Sequence, residues 1–177
     1  MKIRENINLS TIFYLLVAGC THVPDHYIRY NGEEWPTDIA KPTLPQYDKH
    51  GQEIFFVPDY SLLPPFGVAW SRYESGTGIP LVEYVVPIMK EYPKELQKFI
   101  FYHEVGHFKL GHNDQGHYES TKDKLKDERD AHCYAIKNFD TKEQDRIWNF
   151  LRAEGDPITL RYHFSECSKF PKPEESR

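Results

Sequence analysis

The chain has 177 residues, enough for one domain with a modest core and too few for two ordinary domains. Aromatic residues make up 15% of the chain and charged residues 28%, a globular composition that excludes a disordered protein. The formal net charge is −5 and no basic stripe is sustained, which excludes nucleic acid as the main partner.

The first 19 residues have the pattern of a targeting segment. Lys2 and Arg4 give a positive start, and the apolar run 12–17 is too short to span a membrane as a mature helix. The run ends in Leu-Val-Ala-Gly-Cys20, which resembles the cleavage box of bacterial lipoproteins. That resemblance implies a signal peptide over 1–19 and lipidation of Cys20. It places the protein in the cell envelope, at the periplasmic face of the outer membrane where there is one. The alternative is an ordinary signal peptide or membrane anchor with an incidental cysteine.

Composition divides the rest of the chain into three parts. Residues 20–50 are polar and proline-rich without a clear period, which predicts a tether and an irregular lead-in, with Trp35 and Tyr47 as candidates to dock on the domain. The domain is predicted at 51–168, and a flexible tail follows at 169–177.

Three short segments of the domain have strand patterns. They are 53–57, 67–73 and 79–86, which are apolar or alternate between apolar and polar residues. Gly76 and Gly78 predict a hairpin between the last two.

A long amphipathic helix is predicted over 93–110, with Gly111 as its stop. It carries the motif H-E-x-x-H as His103, Glu104 and His107. Residues four apart lie on one helix face, so both imidazoles can reach one metal ion. Glu104 can reach a water on that metal without binding the metal itself. This is the arrangement of a zinc hydrolase, with Glu104 as the general base.

A second helix is predicted from about 120 to 139 and offers the third metal ligand. Its apolar face includes Glu128, where an unpaired carboxylate would be costly to bury. Metal binding explains this position, so Glu128 is predicted to complete a Zn²⁺ site with one position left for water. Asp127 and Asp130 are expected on the solvated side of this helix.

The last third of the chain predicts two more helices. A capping-box pattern at 141–144 starts one that ends at Gly155, and Asp156-Pro157 starts another that runs to about Cys167. Outside the cytoplasm, Cys133 and Cys167 favour a disulfide, with free buried thiols as the alternative.

The two motifs together resemble those of small gluzincin metallopeptidases. The similar segments are His-Glu-Val-Gly-His-Phe-Lys-Leu-Gly-His at 103–112 and Glu-Arg-Asp-Ala-His-Cys-Tyr-Ala at 128–135. The resemblance covers roughly residues 80–168. It implies an α+β, zincin-like fold, in which a small antiparallel sheet precedes a helical bundle carrying the H-E-x-x-H helix and a second, glutamate-bearing helix. It also implies zinc bound by His103, His107 and Glu128.

One position departs from the family pattern E-x-x-x-D, whose aspartate supports a zinc-bound histidine. This chain has His132 there. A neutral imidazole can also orient a ligand, so His132 is predicted to support the site, with direct metal binding as the alternative. His112 and His117 are interpreted as loop or helix-end residues. His163 and its neighbours on the last helix are candidates to stabilise an oxyanion.

These observations favour a zinc-dependent metallopeptidase of the cell envelope, which hydrolyses peptide bonds in a peptide or protein substrate with Glu104 as general base. The alternative, from another class, is a zinc-stabilised envelope lipoprotein that binds a partner without cutting it.

Overall fold

The structure, a computed structural model, describes residues 35–43, 45–60, 68–114 and 121–169. The predicted signal peptide 1–19, Cys20, His117 and nearly all of the predicted tail lie outside the described residues. Among the described helices, none is both long and apolar enough to cross a lipid bilayer.

The sheet has three strands, β1 (Phe55–Asp59), β2 (Ala69–Tyr73) and β3 (Pro80–Val85), in the spatial order β1-β3-β2. β2 and β3 form the predicted antiparallel hairpin, whose turn contains Gly76 and Gly78 at φ values of 84° and 69°. β1, however, pairs with β3 in parallel. The prediction of an antiparallel sheet is therefore wrong, although the α+β class is confirmed. The chain reverses direction between β1 and β2 and again at the hairpin, so β3, inserted between them, runs the same way as β1.

Helices occupy most of the remaining described chain. They are α1 (Val86–Met89), α2 (Lys94–Leu110), α3 (Thr121–Ile136) and α4 (Thr141–Ala153), with short 3₁₀ turns at His112–Asp114 and Phe164–Lys169. α2 follows Pro93 at its N-cap and ends at Gly111, whose φ of 75° is the left-handed conformation that favours glycine. The strand predicted to extend to Val86 turns into α1 at that residue.

The helix predicted from Asp156 to Cys167 does not form. The chain makes turns after Asp156, whose carboxylate accepts a 2.7 Å hydrogen bond from the backbone N–H of Thr159. Such local side-chain bonds offer the backbone an alternative to the helix. A disulfide joins Cys133 of α3 to Cys167, with sulfurs 2.03 Å apart, and ties this final segment to the helical layer.

Part of the predicted lead-in packs against the domain. The Trp35 ring stacks on Tyr84 of β3 at 5.6 Å and meets Phe101 of α2 edge-on at 5.5 Å. The backbone N–H of Ala40 donates to the buried Gln97 side chain of α2 at 2.6 Å. The packed domain thus begins by Trp35, before the boundary at residue 51 that composition indicates.

A close contact between α2 and α3 positions the site. Gly106 of α2 lies against α3 so tightly that an added Cβ would be 3.2 Å from the Tyr134 Cβ and 3.3 Å from the Ala131 Cα. Small residues at a helix crossing let the backbones approach closely. The ligand-bearing faces of the two helices therefore meet beside this contact.

Candidate metal centre

Three buried donors from two helices converge on one point. The Nε2 atoms of His103 and His107 on α2 are 3.1 Å apart. The Glu128 Oε2 of α3 lies 3.1 Å from the first of these nitrogens and 3.7 Å from the second. The three side chains are buried, and their donor atoms all lie within 4.8 Å of one another. This cluster can hold a metal ion. It is the set of donors that the spacing of the two motifs predicts.

The three donors are strongly coupled electrostatically. Burial lowers the pKa of His103 to about 4, so this ring is neutral and ready to donate a lone pair. Burial alone would lower the pKa of His107, but the neighbouring Glu128 carboxylate outweighs burial and raises it. Burial alone would likewise raise the pKa of Glu128, yet its contacts with His107 and His103 hold that pKa well below its ordinary value. The cluster thus places a carboxylate against cationic charge, which is the role that a metal ion would take over.

Glu104 lies beside the donors without joining them. Its side chain is 4% exposed, and it accepts hydrogen bonds from the hydroxyl and the backbone N–H of Ser71 on β2. Burial raises the pKa of Glu104 to about 7. A carboxylate with a pKa near neutrality can take up and release a proton at physiological pH, which is what general acid–base chemistry requires.

His132 lies next to the clustered donors and is not one of them. Its Nδ1 lies 3.0 Å from the backbone oxygen of Glu128, and its ring meets that of His103 edge-on at 4.7 Å. The remaining nitrogen, Nε2, is 3.5 Å from the Asp156 Oδ2. Asp156 outweighs burial and raises the pKa of His132, while His132 outweighs burial and lowers the pKa of Asp156. The sequence does not single out Asp156 as a site residue, because Asp-Pro at 156–157 has the pattern of a helix start.

A second buried histidine and carboxylate lie behind His107. The His112 Nδ1 is 3.0 Å from the His107 Nδ1, and the His112 Nε2 is 3.6 Å from the Asp127 Oδ1. The prediction that Asp127 faces solvent is wrong, because its side chain is only 7% exposed. The turn at Gly111 brings His112 back over this side of α3. The interpretation of His112 as a helix-end residue gives its position in the chain correctly but not its contacts.

A small cavity of about 20 Å³ opens beside the donors. Its polar wall is formed by His103, Glu104, Glu128, His132 and Asp156, and its apolar wall by Phe99, Ile100, Leu151, Pro157 and Ile158. His163 is exposed and packs on Trp148 at 4.6 Å, and it is not among the residues that line the cavity.

Comparisons with models of protein families, with curated proteins and with solved structures found no match for this chain. The functional argument is therefore built from the geometry and chemistry of the site.

Proposed function

We propose that this protein is a zinc-dependent peptidase with a zincin-like arrangement, in which His103, His107 and Glu128 hold the metal. The observation that carries the proposal is the convergence of these buried donors beside a cavity that is lined by two of them, His103 and Glu128, and by a fourth group, Glu104. A purely structural metal site has no need for a base beside it.

The donor set fits zinc. Two imidazoles and one carboxylate are the ligands of many hydrolytic zinc sites, which keep a fourth position for water. Zinc–donor distances of about 2.0–2.2 Å imply donor–donor distances of about 3.3–3.6 Å on a tetrahedron. The separations of 3.1, 3.1 and 3.7 Å lie within a few tenths of an ångström of that range. Small side-chain adjustments would close the difference.

The surrounding residues supply the rest of the chemistry. A zinc ion held by these three residues would supply Lewis acidity toward a water molecule and toward the carbonyl of a peptide bond. Glu104 would take the proton from the attacking water and pass it to the leaving amine. His132 would position the ring of His103 and the backbone of Glu128, which it contacts, and Asp156 would in turn position His132.

The substrate would bind in an extended conformation along β2. β3 is the central strand, so β2 lies at an edge of the sheet, and its residue Ser71 already contacts Glu104. An edge strand can pair with an extended peptide through backbone hydrogen bonds. Such pairing would place the peptide next to the proposed base.

Replacing Glu104 with glutamine tests the proposal. The substitution keeps the size and hydrogen bonding of the side chain and removes the base. We expect zinc content and thermal stability close to wild type, while cleavage of an unfolded protein such as labelled casein falls at least about a hundredfold. Glu95→Gln is the matched control, because the Glu95 side chain lies in the first turn of the same helix, is partly exposed and pairs with Arg146 away from the site. Loss of zinc in Glu104→Gln would show that Glu104 is a ligand, and wild-type activity would show that it is not the base.

One observation favours a second function. His103, His107 and Glu128 are each no more than 8% exposed, and the cavity beside them is about the size of one water molecule. A site this closed also suits a metal that stabilises a partner-binding envelope protein. The second function is the correct one if the zinc-loaded wild type cleaves nothing and Glu104→Gln still complements a strain from which the gene is deleted.

The proposed cellular site is the envelope, through a lipid on Cys20. The motif at residues 16–20 supports it. Cys20→Ser should move the protein from the membrane fraction to the soluble fraction and abolish labelling by a fatty-acid analogue. Retention of the variant in membranes would refute lipid anchoring.

A further inference from the structure

We propose that Asp127 and His112 form a positioning relay that selects the form of His107 able to bind a metal. The proposal rests on the proposed function only in taking His107 as a ligand. It adds two residues that the H-E-x-x-H motif does not contain, both from the buried region behind the metal centre.

The relay is a continuous line of polar atoms. The Nε2 of His107 points to the donor cluster, and its other nitrogen, Nδ1, lies 3.0 Å from the Nδ1 of His112. The far nitrogen of His112 lies 3.6 Å from Asp127, a few tenths of an ångström longer than a hydrogen bond. His107, His112 and Asp127 are all buried, so bulk water does not replace these contacts.

Hydrogen bonding along this chain of contacts favours one tautomer of each histidine. An ionised carboxylate only accepts, so Asp127 favours the tautomer of His112 that carries its proton on Nε2. The Nδ1 of His112 is then an acceptor and favours a proton on the Nδ1 of His107. The Nε2 of His107 keeps a free lone pair, and that lone pair is what a metal needs. In the reverse tautomers a proton would occupy the metal-binding nitrogen.

The choice of tautomers depends on the Asp127 carboxylate, because an ionised carboxylate can only accept hydrogen bonds. An asparagine at position 127 can accept or donate, so it would allow both tautomers of His112 and, through it, both of His107. Replacing Asp127 with asparagine therefore changes the chemistry of the relay with almost no change in shape. Glutamine at position 112 has an acceptor and a donor with nearly the spacing of the imidazole nitrogens. With Asp127 in place, the amide nitrogen of this glutamine would donate to the Asp127 carboxylate, and its amide oxygen would accept from the Nδ1 of His107.

The test is zinc affinity, measured on the full mature chain by competition with a chromophoric chelator. We expect His112→Leu to weaken zinc binding by about 10- to 100-fold, the usual cost of losing a partner of a metal-bound histidine. Asp127→Asn should weaken it by about two- to tenfold, because only the fraction of His107 in the binding tautomer can take the metal. His112→Gln should keep the wild-type affinity. Asp130→Asn is the matched control, because Asp130 lies on the same helix and pairs with Arg129 and Lys126. It should bind zinc like wild type.

A second measurement separates positioning from simple destabilisation. Nitrogen-15 NMR of the histidine rings in the zinc-free protein, recorded at a pH above the raised pKa of His107 so that the ring is neutral, reports which nitrogen of His107 carries the proton. Wild type and His112→Gln should show the proton on Nδ1, and Asp127→Asn a mixture. Adding Asp127→Asn to His112→Leu should weaken zinc binding little further than His112→Leu alone, because leucine already removes the contact between Asp127 and His107.

Three outcomes overturn the relay while leaving the metal site intact. They are wild-type zinc affinity in Asp127→Asn, additive losses in the double variant, and an unchanged His107 tautomer in Asp127→Asn. Failure of the wild type to bind zinc at all would instead refute the proposed function.

Discussion

Replacing Gly106 with alanine tests whether the contact between α2 and α3 sets the distances in the metal centre. The new methyl group would lie 3.2 Å from Tyr134 and 3.3 Å from Ala131. Ordinary contacts between carbon atoms are about 3.5–4.0 Å, so the helices must separate by a few tenths of an ångström. His107 and Glu128 lie on the two helices that this contact joins. Their 3.7 Å separation is already longer than the about 3.3–3.6 Å of a tetrahedral zinc site, and it should widen further.

Two effects on stability oppose each other in this variant. Alanine is favoured over glycine within a helix by about 1 kcal/mol. Crowding of a packed interface costs about 1–3 kcal/mol. The net loss of unfolding free energy in the absence of metal should therefore be small, between about 0 and 2 kcal/mol. Metal–ligand distances tolerate changes of only about 0.2 Å, so zinc affinity should fall more steeply, by about tenfold or more.

The assay compares urea unfolding of Gly106→Ala with and without zinc, alongside chelator competition. Lys98→Ala, at an exposed position of α2, is the control for a change to alanine that touches neither helix contact nor site. Gly106→Ser should be worse than alanine, because the added atom needs more room. Wild-type zinc affinity in Gly106→Ala would refute the reasoning, since the helix contact would then not determine the ligand distances.

Three further predictions follow from individual contacts. The double substitution of Cys133 and Cys167 by serine should lower the unfolding free energy by about 4 kcal/mol, because the disulfide closes a loop of 34 residues, and an unchanged urea midpoint would contradict this. Zinc binding should release a proton from His107, whose pKa is raised, so calorimetry in buffers of different ionisation enthalpy should give buffer-dependent heats and an affinity that rises with pH. Asp156→Asn should destabilise the zinc-free protein most between about pH 4 and 6.5, where both partners are charged in the folded state. The loss should shrink as pH rises through the raised pKa of His132 or falls through the lowered pKa of Asp156, and a pH-independent loss would mean that the pair carries no charge.

The sequence predicts those parts of the site whose positions follow from the geometry of a single helix. The spacing of His103 and His107 and the apolar phase of Glu128 depend only on helical geometry, which a long periodic segment specifies. Asp127 was assigned to the solvated side by the same phase argument and is nevertheless buried. His112, in the turn after Gly111, lies 3.6 Å from the Asp127 carboxylate, and this contact depends on how α2 and α3 pack.

The direction of β1 and the conformation of the last segment are also not specified by local sequence patterns. An alternating strand has the same pattern whether its neighbour is parallel or antiparallel, so the direction of β1 relative to β3 could not be inferred from residues 53–57. The start of α4 differs by one residue, since its capping box is formed by Asp140 and Glu143, while Thr141 is also a residue type suited to a cap. After Asp156, a local hydrogen bond and a distant disulfide together outweigh the helical pattern.

The docking of Trp35 on the domain limits where the proposed enzyme can act. If Cys20 is lipidated as proposed, only the chain between that residue and Trp35 separates the packed domain from the bilayer. These roughly 15 residues span at most about 50 Å, even fully extended. Substrates would therefore be met in a thin layer next to the membrane, and proteins held in that layer would be favoured over those free in solution. Lengthening this segment should widen the range of substrates without altering the chemistry of the metal centre.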